Sequence, residues 1–208
     1  MDNKALYKLS YGVFFLASKG KTNNKANGCI TNTCIQVANS PTRVAVSVLN
    51  TNYTCGLIKE SGVFTISLLD ETTTFETIKH WGFQSGRNVD KLEGLNLPTD
   101  INGVVFLPWQ TTAVISCKVI EKHELGSHTL FIAEVVDAKV LSEKNPLTYS
   151  DYQNNLKPKS QSPAKENKII GWKCKICGHI YNGNTLPEDY LCPICGHSKD
   201  DFEPIYEN

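Results

Sequence analysis

The sequence predicts a mainly β protein of two domains: a strand-rich domain over residues 1–152 and a small metal-binding domain over 169–208, joined by a flexible linker over 153–168. Three observations predict it. Short runs dominated by Val, Ile, Phe and Thr recur through the first two-thirds of the chain, a polar stretch bearing two prolines follows, and two matching CxxCG loops close the sequence.

The β-rich runs, in order, are "YGVFFLAS", "CITNTCIQVA", "RVAVSVLN", "GVFTISLL", "TAVISCKVIE" and "LFIAEVVDAKVL". Val44, Val46 and Val48 alternate with smaller or polar residues, the period of a strand with one buried face. Repeated short strands of this kind make a barrel or sandwich, mainly antiparallel. Two segments read as helices, "TCGLIKESG" closing on Gly62 and "ETTTFETIKHWG" closing on Gly82, each glycine standing where a left-handed C-terminal cap is expected.

The stretch "QNNLKPKSQSPAKENK", from Gln153 to Lys168, has only Leu156 and Ala164 as apolar residues. So little burial cannot offset the entropy of ordering, and a linker is expected.

Beyond it, Cys174 and Cys177 form "CKICG" and Cys192 and Cys195 form "CPICG". A two-residue spacer lets both thiolates of a loop face one ion, and Gly178 or Gly196 permits the turn that aims backbone amides at sulfur. Four thiolates suit either zinc or a single iron. The other cysteines, Cys29, Cys34, Cys55 and Cys117, are scattered, so the eight together do not read as a disulfide framework, and a reducing, cytoplasmic compartment is expected.

Lysine and arginine number 21 against 21 aspartates and glutamates, which leaves no overall field to attract nucleic acid or an anionic membrane. No apolar run approaches the length of a bilayer span. From Trp172 onward three lysines face six acidic residues, the wrong balance for a module that grips phosphates. Trp172, Tyr181, Tyr190 and Phe202 surround the cysteine loops and supply a small aromatic core.

With these residues in place, the pattern "W.C..CG.IY....LPEDY.CP.CG..K.DF" resembles rubredoxin, in the shortened form appended to rubrerythrins. The resemblance implies one iron cycling between ferric and ferrous states, with zinc a possible substitute.

The larger domain has no GxGxxG opening a helix, no P-loop, no nucleophile elbow and no HExxH. It does carry polar clusters where strands end: "NGCITNTC", "LNTNYTCG" and "WGFQSGRNVDK". Asparagine, threonine and glycine there also serve as ordinary turn residues. In combination and order, with "SGVFTISLL", "SGRNVDK" and "GSHTLFIAEV", they resemble the flavin reductase-like family from about Leu6 to Lys144. That family binds FMN in a split β-barrel, usually as a homodimer.

Carried over to matching positions, the resemblance places the flavin ring against the backbone of Thr31, Asn32, Thr33 and Cys34. It places the phosphate near Asn50, Thr54, Ser85, Arg87 and Lys91. Arg87 suits the role because its planar fork holds two phosphate oxygens and stays charged. His128 matches a histidine beside the flavin that orients a nicotinamide or assists protonation. Cys55 departs from the pattern, standing where histidine is often found.

The whole architecture resembles the high-molecular-weight rubredoxins of anaerobes, which pass electrons from NAD(P)H through FMN and iron to flavodiiron proteins that reduce oxygen or nitric oxide. The implied function is an NAD(P)H-dependent flavin oxidoreductase serving such a redox partner under oxidative or nitrosative stress. The same sequence also fits a carrier reduced by a separate reductase.

Overall fold

Seven strands of one antiparallel sheet carry the larger part of the chain: β1 (Phe14–Lys19), β2 (Ala26–Thr31), β3 (Cys34–Asn39), β4 (Thr42–Leu49), β5 (Val63–Leu69), β6 (Thr111–Glu124) and β7 (His128–Val140). The computed structural model describes residues 2–22, 25–158 and 169–206. It divides the chain into two units, Met1–Lys157 and Pro158–Asn208.

The strand order is β2-β1-β5-β6-β7-β4-β3, with every neighbouring pair antiparallel. The expected run "CITNTCIQVA" is therefore two strands rather than one, and they form opposite edges of the sheet. Asn32 and Thr33 alone connect them, so the sheet must curl until its two edges meet at this corner. Register shifts at Leu68/Leu69, Ser116/Cys117 and Val119/Glu121 put bulges into the long central strands, where bulges sharpen bend and twist. The result is a split β-barrel.

Its interior holds Phe14, Leu16, Val44, Val46, Val48, Phe64, Ile66, Cys117 and Phe131. The alternation of Val44, Val46 and Val48 is the inward face of β4, as expected. A second core lies on the other face of β1, where Val13, Phe15 and Ala17 meet Ile78, Trp81, Leu97, Val104, Leu107 and Leu147. Covering both faces explains why β1 reads as a continuous apolar run instead of an alternating one. Phe15 meets Trp81 edge-on at 4.6 Å. A Cβ at Gly28 would lie 2.1 Å from the Phe15 ring, so the neighbouring strand can carry only glycine there without displacing it.

Helix α1 (Tyr53–Ser61) starts at Asn52, whose side chain accepts from the Thr54 amide, and ends at Gly62, which adopts φ 73° and donates its N–H to Ile58 O. That is the left-handed cap the sequence predicts. Helix α2 (Phe75–Gly82) differs. Gly82 is its last helical residue, and the cap is Phe83 with φ −104°. Gly82 instead provides space, since a Cβ there would lie 3.3 Å from Ile30 Cγ1.

The expected linker also begins later than Gln153. Tyr149–Asp151 and Tyr152–Leu156 form consecutive helical turns, with Tyr152 buried and Leu156 packed on the second core. Residues 159–168 of that linker lie outside the described residues.

In the smaller unit, β8 (Ile169–Cys174), β9 (Ile180–Tyr181) and β10 (Phe202–Tyr206) form a sheet in the order β10-β8-β9. Its core is Cys174, Leu186, Cys192 and Phe202, with Trp172, Tyr181 and Tyr190 packed around them. So few buried residues cannot stabilise a fold alone, and the cysteine site must contribute.

Candidate functional site: a four-sulfur centre and a polar barrel corner

The two CxxCG loops repeat one geometry. Gly178 N–H donates to Cys174 O and Gly196 N–H to Cys192 O, each at 2.8 Å, and Cys174 and Cys192 N–H groups donate to His179 O and His197 O, again at 2.8 Å. Gly178 and Gly196 take φ 78° and 74°, the left-handed turn that swings the following amide back toward sulfur. The amides of Ile176 and Cys177 approach Cys174 Sγ, that of His179 approaches Cys177 Sγ, and that of His197 approaches Cys195 Sγ.

All four Sγ atoms lie within 4.8 Å of one another, and Cys174–Cys195 and Cys177–Cys192 are separated by 3.6 and 3.4 Å. A tetrahedron with metal–sulfur bonds of about 2.3 Å has edges of about 3.8 Å, so the residues fit one four-coordinate ion. The close pairing of Cys174 with Cys195 holds the Cys174 thiol well below the ordinary thiol range and pushes Cys195 up. Burial pushes Cys177 up to about 12. Cys174 and Cys192 are buried, whereas Cys177 and Cys195 are part-exposed, which gives the centre one solvent-facing edge.

In the barrel, the residues expected at a flavin separate into those left available and those used by the fold. Thr31, Asn32, Thr33 and Cys34 form the half-buried corner between β2 and β3, with Thr33 Oγ1 donating to Asn32 Oδ1 at 3.0 Å. Burial pushes the Cys34 thiol up to about 12, making it a poor nucleophile.

Ser85 and Arg87 lie in the loop after α2, against the N-terminus of α1. The Arg87 guanidinium sits 5.3 Å from the centre of the Tyr53 ring. A Cβ at Gly86 would come within 2.2 Å of Asn27 Oδ1 and 2.8 Å of Tyr53 Cδ1. The first turn of α1 has no acidic side chain, so the helix dipole and Arg87 both favour an anion there, although the Thr54 and Cys55 amides already donate to Asn52.

Three expected phosphate ligands have their side chains engaged elsewhere. Thr54 is 0% exposed and its hydroxyl accepts from Asn27 Nδ2 at 2.7 Å. Asn50 donates from Nδ2 to Gly126 O at 2.8 Å and accepts from Thr129 Oγ1 at 2.6 Å, tying the start of α1 to the β6–β7 turn. Lys91 is 3% exposed, and its Nζ donates to Trp81 O at 2.8 Å. Burial lowers its pKa.

His128 begins β7, pairs with Leu49, and has Nδ1 2.8 Å from Ser127 Oγ. Because Cys34 pairs with Val46 on the same β4, His128 shares the corner's end of the sheet. Two strand spacings across the sheet and three residues along it, about 10 Å in each direction, separate it from Cys34.

Asn27, Tyr53 and Gly86 lie inside the polar clusters quoted from the sequence, which assigned them no role. Gly86 stood inside the quoted "SGRNVDK", but its neighbours come from β2 and α1, far away in sequence.

Residues 6–155 match the flavin reductase like domain family, and residues 172–203 match the rubrerythrin, rubredoxin-like domain family. A high molecular weight rubredoxin of Moorella thermoacetica is 32% identical over 231 residues, covering 99% of this chain and 100% of that protein. A ferric-chelate reductase (NAD(P)H) of Archaeoglobus fulgidus is 37% identical over 163 residues, covering 78% of this chain and 94% of that one. Among solved structures, the NADH:FAD oxidoreductase of Streptomyces globisporus C-1027 shares the barrel fold at a TM-score of 0.62 and 19% identity, over 69% of this chain and 84% of that one. With a split barrel of the flavin reductase type, a rubredoxin-like four-cysteine iron site and a full-length relative of the same composition, the chain belongs to the high-molecular-weight rubredoxin family of flavin reductase-like proteins.

Proposed function

We propose that this chain oxidises NAD(P)H at an FMN held in the barrel, passes the electrons to iron held by Cys174, Cys177, Cys192 and Cys195, and delivers them to a redox partner such as a flavodiiron protein. One observation carries the reading: a flavin reductase-like barrel and a set of four sulfurs within 4.8 Å of one another occur in a single chain. Bound flavin accepts a hydride as two electrons and can release them singly, while the tetrathiolate iron exchanges one at a time.

The chain's own residues supply the rest. Arg87, Ser85 and the N-terminus of α1 receive the phosphate, and the backbone of Thr31–Cys34 lies along the ring. His128, at the same end of the sheet, orients the nicotinamide or assists protonation. The amides aimed at Cys174, Cys177 and Cys195 offset negative charge on sulfur and so tune the potential. The part-exposed edge of Cys177 and Cys195 is the exit toward the partner.

The sheet ends at β3 with Ile35 62% and Val37 46% exposed, an apolar edge that supports a homodimer. No helix among the described residues is long and apolar enough to cross a membrane. The four barrel cysteines are unpaired thiols, which supports a reducing, cytoplasmic setting.

The test is turnover by the purified holoprotein with NADH or NADPH as sole donor and a flavodiiron protein as acceptor. Oxidation of the nicotinamide coupled to reduction of the acceptor is expected, and comparing the two donors gives the preference. Absence of nicotinamide oxidation with either donor would leave only a carrier reduced by a separate reductase.

A further inference from the structure

The last turn of α2 leaves carbonyl groups that no further helical residue can satisfy. The loop that follows satisfies them. Phe83 N–H donates to Lys79 O at 3.1 Å, Gln84 Nε2 to His80 O at 2.8 Å, and Lys91 Nζ to Trp81 O at 2.8 Å. A bond also runs in the opposite direction, because His80 Nε2 lies 2.8 Å from Lys91 O. A carbonyl only accepts, so Nε2 carries the proton and Nδ1 is the acceptor facing Gln84 Nε2 at 3.4 Å.

Residues 80–81 and Lys91 thus exchange two hydrogen bonds across the base of the loop, one from the imidazole and one from the ammonium. The ammonium is buried, so water does not compete for its bond. Between these bonds the chain carries Ser85, Gly86 and Arg87. Asn88 and Val89 N–H groups donate to Ser85 O at 3.0 and 3.2 Å, and Arg87 N–H donates to Ser85 Oγ at 3.2 Å. Ser85 Oγ acts as an acceptor within the loop, and a hydroxyl that accepts can still donate.

We propose that His80 and Lys91 are positioning residues, a clasp that closes the base of the loop and holds Ser85 and Arg87 in the arrangement that receives the phosphate of the flavin. This rests on the assignment of that loop to the phosphate. Neither residue touches the ligand: Lys91 is turned inward to Trp81 O, and His80 acts through the Lys91 carbonyl. Opening the clasp lowers the fraction of protein whose loop is competent to bind, and apparent affinity falls with that fraction.

The test compares FMN with riboflavin, which has the ring but no phosphate, in fluorescence titrations of flavin-depleted full-length protein. The wild type is expected to prefer FMN. His80→Ala should weaken FMN about tenfold, the effect of losing one well-placed hydrogen bond, and leave riboflavin binding unchanged. His80→Gln, whose amide can still donate to Lys91 O, should restore most of the preference. Lys91→Met, which removes the bond to Trp81 O, should reduce the preference a few-fold and decides the matter if His80→Ala does not fold.

A His80→Ala protein that keeps the wild-type ratio of FMN to riboflavin affinity would overturn the clasp, as would equal loss of both ligands or an unchanged ratio in Lys91→Met. A wild type with no preference for FMN overturns the phosphate assignment itself, and the clasp with it. Arg87→Ala separates these failures, because it abolishes the preference only where the loop binds phosphate.

Discussion

Thr31 and Cys34 stand at opposite edges of the seven-stranded sheet, Thr31 ending β2 and Cys34 beginning β3, with two residues between them. Three Cα–Cα steps reach about 10 Å at most, so the two edges are brought together here whatever the rest of the sheet does. The corner is therefore a fixed part of the barrel. Thr31–Cys34 are half-buried there, and neither edge strand has an outer neighbour within the sheet, which is the setting proposed above for the flavin ring.

Gly86→Ala tests how closely the loop proposed to receive the phosphate is seated. The added methyl meets Asn27 Oδ1 and Tyr53 Cδ1 inside contact distance, and overpacking of this kind costs about 1–3 kcal/mol. The loop should be displaced from α1, and FMN affinity should fall about tenfold or more in a fluorescence titration, with the iron absorption unchanged.

Arg87→Ala should weaken FMN by about one to two orders of magnitude, the effect of removing a charge-assisted contact. Arg87→Lys should recover only part of this, because a single ammonium can neither reproduce the two-pronged contact nor lie over Tyr53 in the same way. Equilibrium titrations of the three proteins at fixed ionic strength check the ranking.

Protein prepared without metal, or carrying Cys177→Ser, should lose ordered structure over residues 169–206, because the small unit's core is too slight to hold without the ion. Amide hydrogen exchange should show protection lost there and retained in β1, β5 and β6. The melting of the barrel should not change.

The barrel thiols give a pH dependence. Burial raises the pKa of Cys34 from 9.0 to about 12 and raises those of Cys29, Cys55 and Cys117. The folded protein thus keeps protons that the unfolded chain releases. The associated stability is complete below pH 9 and declines as pH rises from about 9 toward 12. The denaturant midpoint of the barrel should fall between pH 8 and 10.5, and by less in Cys34→Val. At pH 8, iodoacetamide should leave these four cysteines unlabelled in native holoprotein, as read by peptide mass spectrometry.

The cysteine centre was legible in the sequence because its chemistry is local: Cys174 and Cys177, like Cys192 and Cys195, are brought together by a single turn and its glycine. The inward face of β4 and the cap at Gly62 were legible for the same reason. Gly82 misled, because a glycine ending a helical pattern can serve packing as well as a left-handed turn, and only Ile30 on another strand shows which. The run from Cys29 to Ala38 concealed a crossing from one edge of the sheet to the other, since no glycine or proline marks the Asn32–Thr33 corner. Thr54, Asn50 and Lys91 have the right chemistry for a phosphate, but the fold uses their side chains first. That choice depends on Asn27, Thr129 and Trp81, whose proximity is set by the tertiary structure.

The most direct test of the electron path is anaerobic rapid mixing of the holoprotein with NADH, or with NADPH, followed in the visible bands of flavin and ferric tetrathiolate. The flavin band should bleach first and the iron band follow, with iron reduction lost in Arg87→Ala protein depleted of flavin. Iron that is reduced at the wild-type rate without flavin, or that stays ferric while the flavin is fully reduced, would contradict it.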